Sequence, residues 1–134
     1  MLNLFNEKNI IIIIFFIYFI CGENYIFVGR DSKTNNNSYV DKNSIKKTGE
    51  VVSMWAVVNF NESRSDKKGK INSSKLKLLI DCSKGKFKIV ELKTYSEDMG
   101  KGTLITNEEI PKDNDWENIY RDGFGYDTFK YVCK

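Results

Sequence analysis

The stretch Lys75-Leu76-Lys77-Leu78-Leu79-Ile80-Asp81-Cys82 constrains this chain more than any other. Leu76, Leu78, Ile80 and Cys82 hold the even positions and are apolar, while Lys75, Lys77 and Asp81 fall on odd ones. A period of two belongs to a strand with one buried and one wet face. Cys82 therefore points into a core, where a second cysteine can reach it. The late candidate is Cys133, the penultimate residue. A bridge between the two closes a loop of roughly 50 residues, which stabilises a small domain by about 4 kcal/mol in the chain-entropy description.

The first 22 residues differ from everything after them. Met1–Asn9 is short and polar, and Ile10–Ile20 is a run of eleven apolar residues without a charge. Crossing a bilayer takes about 20 such residues, whereas the apolar region of a signal peptide needs only about 7–15. Residues 1–22 accordingly read as a signal peptide and 23–134 as one domain. Glu7 cancels Lys8, which makes the leading segment less basic than usual for such a peptide. Two processings are compatible with Cys21: cleavage after Gly22, or lipid attachment to Cys21 itself. Ile20 and Tyr18 fit the lipoprotein pattern only in part, since it favours a small residue directly before the cysteine. Cleavage leaves Cys82 and Cys133 as an even pair, and an even pair in an exported domain reads as a disulfide. A formal net charge of +3 is too mild to indicate nucleic acid. Contact with a membrane is then expected only through an unprocessed leader or a lipidated Cys21.

In chain order, Tyr25–Gly29 reads as a first strand, Arg30–Asn37 as a polar loop and Ser38–Asp41 as a second strand. Two turns follow, at Asp41–Ser44 and Lys46–Gly49. Glu50–Phe60 is a long third strand with Val52, Met54, Ala56, Val58 and Phe60 on one face. The polar segment Asn61–Asn72 is expected to be a solvent-exposed loop and the site most open to proteolysis. Ser73–Cys82 is the fourth strand and Phe87–Tyr95 the fifth, with Phe87 across from Cys82 and Lys88 across from Asp81. Adjacent apolar residues at Ile89-Val90 break the alternation and indicate a β-bulge, after which Leu92 returns to the core beside Leu78. Gly102–Thr106 is a sixth strand, and Asn107–Asp115 crosses back. Trp116 and Ile119 are expected to anchor that return. Asp127 is the candidate N-cap of a short terminal helix carrying Phe129, Val132 and Cys133 on one face. The fold class is thus α+β: about six antiparallel strands with a C-terminal helix tied to one face by the disulfide.

The chain contains no histidine, so Ser/His and Cys/His nucleophilic pairs, His metal sites and a His general base are all excluded. Glu97-Asp98 and Glu108-Glu109 read as solvated loop residues rather than as glycosidase carboxylates. Asp113-Asn114-Asp115 lacks the glycine and the distant glutamate of a calcium loop. No catalytic residue, cofactor or metal is expected. The outer faces of the fourth and fifth strands hold Lys75, Lys77, Lys88 and Lys93, with Trp55 and Tyr95 on the same side. Aromatic residues among lysines make a candidate docking patch for an acidic glycan or protein surface. Lysines on a sheet also serve simply to keep it soluble and its edges unpaired.

The ordered set of these pieces resembles the bacterial surface-adhesin protein E-like domain family. The set comprises the opening Tyr25-Ile26-Phe27-Val28-Gly29, then Tyr39-Val40-Asp41 with Ser44-Ile45, and the tryptophan-bearing Val52–Val58. It continues with Ser74 and Leu78 leading to Ile80-Asp81-Cys82, and with Tyr95, Met99-Gly100 and Gly102. Trp116 with Ile119 and the terminal Tyr131-Val132-Cys133 complete it. The resemblance implies export, a sheet of about six strands, a terminal helix tied by Cys82–Cys133, and binding of host extracellular-matrix proteins. Where such proteins start the last helix with a Pro-Gly-Ser sequence, this chain has Arg121-Asp122-Gly123-Phe124-Gly125. The functional expectation is a non-enzymatic envelope or surface binding protein. The alternative is a periplasmic inhibitor of a secreted hydrolase, acting through an exposed loop.

Overall fold

The Lys75–Cys82 alternation lies in the longest strand pair of the molecule. The computed structural model describes residues 22–111, 113 and 115–134. The apolar run Ile10–Ile20, the lipidation candidate Cys21 and the middle of Asp113-Asn114-Asp115 lie outside the described residues. The described strands are β1 (Tyr25–Arg30), β2 (Asn37–Asp41), β3 (Lys46–Thr48), β4 (Val51–Asp66), β5 (Gly69–Asp81), β6 (Lys86–Tyr95), β7 (Leu104–Glu109) and β8 (Glu117–Asn118). One α-helix follows, α1, at Tyr126–Val132. The sheet runs β1-β2-β4-β5-β6-β7, antiparallel throughout, with β3 added alongside β4 and β8 alongside β6.

Opposite residues in an antiparallel ladder share a face. The pairs Val52–Ile80, Met54–Leu78 and Ala56–Leu76 therefore stack the apolar positions of β4 and β5 on one inner face. Val40 extends that face through β2, and Phe87 through β6. The helix covers it with Phe129, Tyr131 and Val132, assisted by Ile119. Seven residues are too few for a helix to persist alone. Cys133, directly after α1, is bonded to Cys82 at the end of β5, with the two Cα atoms 5.5 Å apart. Sheet, helix and tether thus match the expected fold class.

Local details differ from expectation in instructive ways. Asn61–Asn72 is not a loop. It forms a projecting β-hairpin arm, in which Arg64–Ile71, Ser65–Lys70 and Asp66–Gly69 pair after an irregularity beyond Asn59. From Asn61 to Lys70 its strands are wet on both sides, so no alternation announces them. The turn is closed by Lys68 N–H donating to Asp66 Oδ1 (3.1 Å), and Asn61 N–H donates to Asn36 Oδ1 (3.0 Å) at the base. Ile71 and Ile105, both buried, foot the arm. The lysine-rich turn after Ile45 is the short exposed strand β3.

Across the β5–β6 hairpin, Phe87 opposes Ile80 and Lys86 opposes Asp81, two residues from the expected register. The Asp81 carboxylate accepts from the Ser83 and Lys84 N–H groups and from the Ser83 hydroxyl. That turn takes Cys82 out of the ladder. Because the slip is even, every side chain keeps its face. The bulge is where the sequence places it: Ile89 opposes Leu78 and Glu91 opposes Lys77, leaving Val90 as the extra residue. Leu92 then lies opposite Leu76 rather than beside Leu78. The sixth expected strand begins at Leu104 and continues through Glu108-Glu109, which are strand residues rather than loop residues.

Asp127 is not the N-cap of α1. Gly125, left-handed at φ 81°, occupies that position, and no side chain caps the helix. The Gly123-Phe124-Gly125 turn supplies the change of direction. Asp127 instead sits in the first turn, where a carboxylate suits the helix dipole. A Cβ on Gly29 would lie 2.1 Å from Asp127 Oδ2, so the glycine of β1 makes room for this contact.

Candidate binding surface

The outer face consists of the odd positions of β4 and β5 and their partners. Trp55, Lys77, Glu91 and Glu109 form one row across β4, β5, β6 and β7. Val57, Lys75, Lys93 and Asn107 form the next. Below them lie Ser53, Leu79 and Lys88, and at the far end Ser73 faces Tyr95. The sheet thus brings all six predicted patch residues, Lys75, Lys77, Lys88, Lys93, Trp55 and Tyr95, to one face. It gives them unequal surroundings.

The end bearing Lys75 is closed. A loop at Asp98–Gly100 folds over it, with Met99 left-handed at φ 60°. Ser73 Oγ accepts from Gly100 N–H (2.9 Å) and donates to the Glu97 carbonyl (2.6 Å), while Met99 N–H donates to Asn59 Oδ1 (2.7 Å). From the other side the segment leading into β1 lies on the sheet. Asn24 N–H donates to Asp41 Oδ1 (3.0 Å), and the Lys75 ammonium donates to Glu23 Oε1 and sits 5.8 Å from the Tyr25 ring centre. Val57 and Ser73 are fully buried in consequence. Burial pushes the Tyr25 hydroxyl up to about 12, an effect that the adjacent Lys75 ammonium reduces. Burial works to lower the pKa of Lys75, but its hydrogen bond to Glu23 and the nearby charges outweigh it and hold the ammonium above its ordinary range. Lys75 therefore holds the fold together here, and its stem packs against Gly100.

The other half is open. Lys93 Nζ lies 5.3 Å from the Trp55 ring centre and 3.6 Å from Glu91 Oε1. Ser44 Oγ accepts from Trp55 N–H (2.8 Å) and donates to the Asp41 carbonyl (2.7 Å), which fixes the strand bearing the tryptophan. Lys88 is turned towards the sheet border, 5.4 Å from the Trp116 ring centre. Two hollows flank Lys77. One, of about 320 Å³, lies between Trp55, Lys46 and the segment Gly22-Glu23 ahead of β1. The other, of about 650 Å³, has a floor of Leu79, Val90, Ile110 and Pro111 and a rim of Lys77, Lys88, Glu91 and Glu109. An apolar floor within a charged rim is the anatomy of a recognition surface.

The reading from sequence missed the carboxylates Glu91 and Glu109, which make the patch mixed rather than cationic. It also missed the apolar floor. Leu79, apolar at an odd position, and the doubled Ile89-Val90 were its visible signals.

The family model for surface-adhesin protein E matches residues 25–134. The chain belongs to the surface-adhesin protein E family. Its fold is similar to solved structures of Haemophilus influenzae protein E. The selenomethionine form is 23% identical, with a TM-score of 0.58, and the likeness covers 81% of this chain and 84% of that one. A second structure, of protein E from non-typeable Haemophilus influenzae, is 18% identical with a TM-score of 0.54, covering 84% and 85%. No curated protein matches this chain in sequence. Membership of the protein E family makes this a surface-adhesin-like domain, and the likeness to the solved structures is one of fold.

Proposed function

We propose that residues 1–22 direct export and that the domain 23–134 is a non-enzymatic binding protein at the bacterial envelope or surface. Its partner is a host extracellular-matrix protein or an acidic glycan. The open half of the outer face is the contact surface, with Trp55, Lys77 and Lys93 at its centre. The observation that carries this reading is the apolar hollow beside them. A floor of four apolar side chains left open on a charged sheet face is what a partner's anchor residue covers. Lys75 and Tyr95 lie at the closed end of the same face, beside this surface, and Lys88 borders it.

The test is binding to immobilised matrix proteins and to heparan sulfate across a salt series. Lys77→Glu with Lys93→Glu is expected to weaken binding at least ten-fold and to flatten its salt dependence; Trp55→Ala weakens it without changing that dependence. Unchanged binding in both variants removes the outer face from the function. Intact mass from the native host, with and without reductant, tests export. A chain starting at Glu23 that gains about two hydrogens on reduction supports cleavage and the bridge, whereas an acyl adduct on Cys21 makes the protein an anchored lipoprotein. The projecting arm supports the second reading, inhibition of a secreted hydrolase. On that reading Lys67 and Lys68 at its tip enter the target, and their replacement by Ala abolishes inhibition while leaving matrix binding intact.

A further inference from the structure

The helix α1 is shorter than the strands beneath it, so part of the inner face has no roof. Beyond the first turn of α1, Ser38 and Val58, which oppose each other on β2 and β4, floor a cavity of about 320 Å³. It lies on the side of the sheet away from the binding surface described above. Three separate segments wall it: the end of β1 with the loop after it, the hairpin arm, and the chain leading into α1.

The walls carry opposite charge. Arg30, at the end of β1, and Arg64, on the arm, stand on the strand side, while Asp122 and Asp127 stand on the helix side. Among the described residues no ion pair joins these arginines to these aspartates. Each guanidinium is held in place by something else. Arg30 Nε donates to Asn37 Oδ1 (2.9 Å), and Arg64 lies 4.3 Å from the Phe60 ring centre. Asp127 is fixed by Lys130, 3.4 Å away, and by its seat against Gly29. Asp31 also borders the cavity, but its carboxylate is turned back to accept from the Lys33 and Thr34 N–H groups of its own loop. Phe124 and Tyr126 also line the acidic side. The Tyr126 ring carries Lys130 Nζ, 4.7 Å from its centre, and the Phe124 ring leans on Phe87 at 5.3 Å, so the ligand's cation is left to the carboxylates.

Two positioned guanidiniums suit a carboxylate or phosphate. A pair of carboxylates suits an ammonium, quaternary or primary. We infer that this cavity binds a small zwitterion, its anionic end towards Arg30 and Arg64 and its cationic end towards Asp122 and Asp127. An ion of a single sign meets repulsion from one wall, and a molecule with both charges meets none. A free amino acid and a phosphocholine headgroup share this chemistry.

The test is a titration of the protein, followed by amide NMR shifts, with leucine and separately with phosphocholine. The corresponding half-molecules are isovalerate with isoamylamine, and inorganic phosphate with choline. At least one zwitterion is expected to shift amides in residues 30–38 and 122–128, and its halves are expected to bind at least ten-fold more weakly. Leucine alone identifies an amino-acid site, phosphocholine alone a headgroup site, and both together recognition of the charge pair. Arg64→Gln and Asp122→Asn lie on opposite walls and are both exposed, so each is expected to weaken binding at least ten-fold with no change in melting temperature. Absence of shifts at about 10 mM of either zwitterion, or half-molecules that bind equally well, overturns the assignment. Neither result touches the outer-face reading, whose variants lie elsewhere.

Discussion

On β5 the neighbouring residues Leu78 and Leu79 point to opposite faces of one sheet. Leu78 is 1% exposed beneath the helix side, against Met54, while Leu79 lies in the open hollow among Lys77, Lys88 and Glu91. The inner face is held by close-packed apolar side chains and a covalent tether. The outer face is held at one end by hydrogen bonds and a half-buried lysine, and is left unfilled at the other. The difference teaches where this domain stores its stability and where it can spare surface for a partner. Truncation of the two leucines separates the faces most sharply. Leu78→Ala should cost about 4 kcal/mol by creating a cavity in a packed core. Leu79→Ala should cost less than about 1 kcal/mol, because its site is already open to water. Urea denaturation of both variants measures this, and equal losses would mean that the outer hollow is filled in solution.

The tether gives the next largest effect. Replacing Cys82 and Cys133 by Ser should cost up to about 4 kcal/mol, the chain-entropy value for a loop of this length. It should also release α1, because so short a helix depends on its docking. Loss of amide protection confined to residues 126–133 at first, with the strands still protected, is the expected hydrogen-exchange pattern. Simultaneous loss throughout would show that helix and sheet form one cooperative unit, contrary to the contrast drawn between the faces.

The parts legible in the sequence are those on which the core imposes a period. Val52 to Val58 and Leu76 to Cys82 alternate because one side of each strand is buried, and that alternation located both the inner face and the cysteine that ties the helix. The doubled Ile89-Val90 located the bulge to the residue. The arm was illegible for the converse reason: between Asn61 and Lys70 both faces are wet, and a paired strand there looks like any polar loop. Register slipped by two because an even slip moves no side chain across the sheet, so hydrophobic pattern alone could not detect it. The lysine patch was legible as a set of residues on one face but not as chemistry. Lys75 is distinguished from Lys77 only by Glu23 and Tyr25, some 50 residues earlier in the chain, and no local pattern reports such a partner.

The closed end of the outer face supplies the third effect, a small one. Glu23→Gln should cost less than about 1 kcal/mol, as exposed ion pairs do. Lys75→Ala should cost more than Glu23→Gln, because the lysine stem also packs against Gly100 and roofs Val57. If the two variants prove equally mild, the lysine stem contributes no packing and the closed end is held by the surface ion pair alone.

The last effect is confined to alkaline pH and belongs to the closed end. The Tyr25 hydroxyl is buried without a hydrogen-bond partner, and its pKa stands at about 12 against an ordinary 10.0. Between those values the unfolded chain has released the proton while the folded chain retains it, so stability falls as pH rises. The contribution of Tyr25 is present in full below the unfolded value and is lost as pH passes the folded one. Lys75, also held above its ordinary range, loses its contribution in the same alkaline direction. At neutral pH, Tyr25→Phe removes a buried hydroxyl that satisfies nothing and should be neutral or slightly stabilising. Above about pH 10 the variant should lose stability less steeply than the parent, as read from urea midpoints at successive pH values. Parallel slopes would place the Tyr25 hydroxyl in water, and the closed end of the outer face would then be as open as the half that carries Trp55.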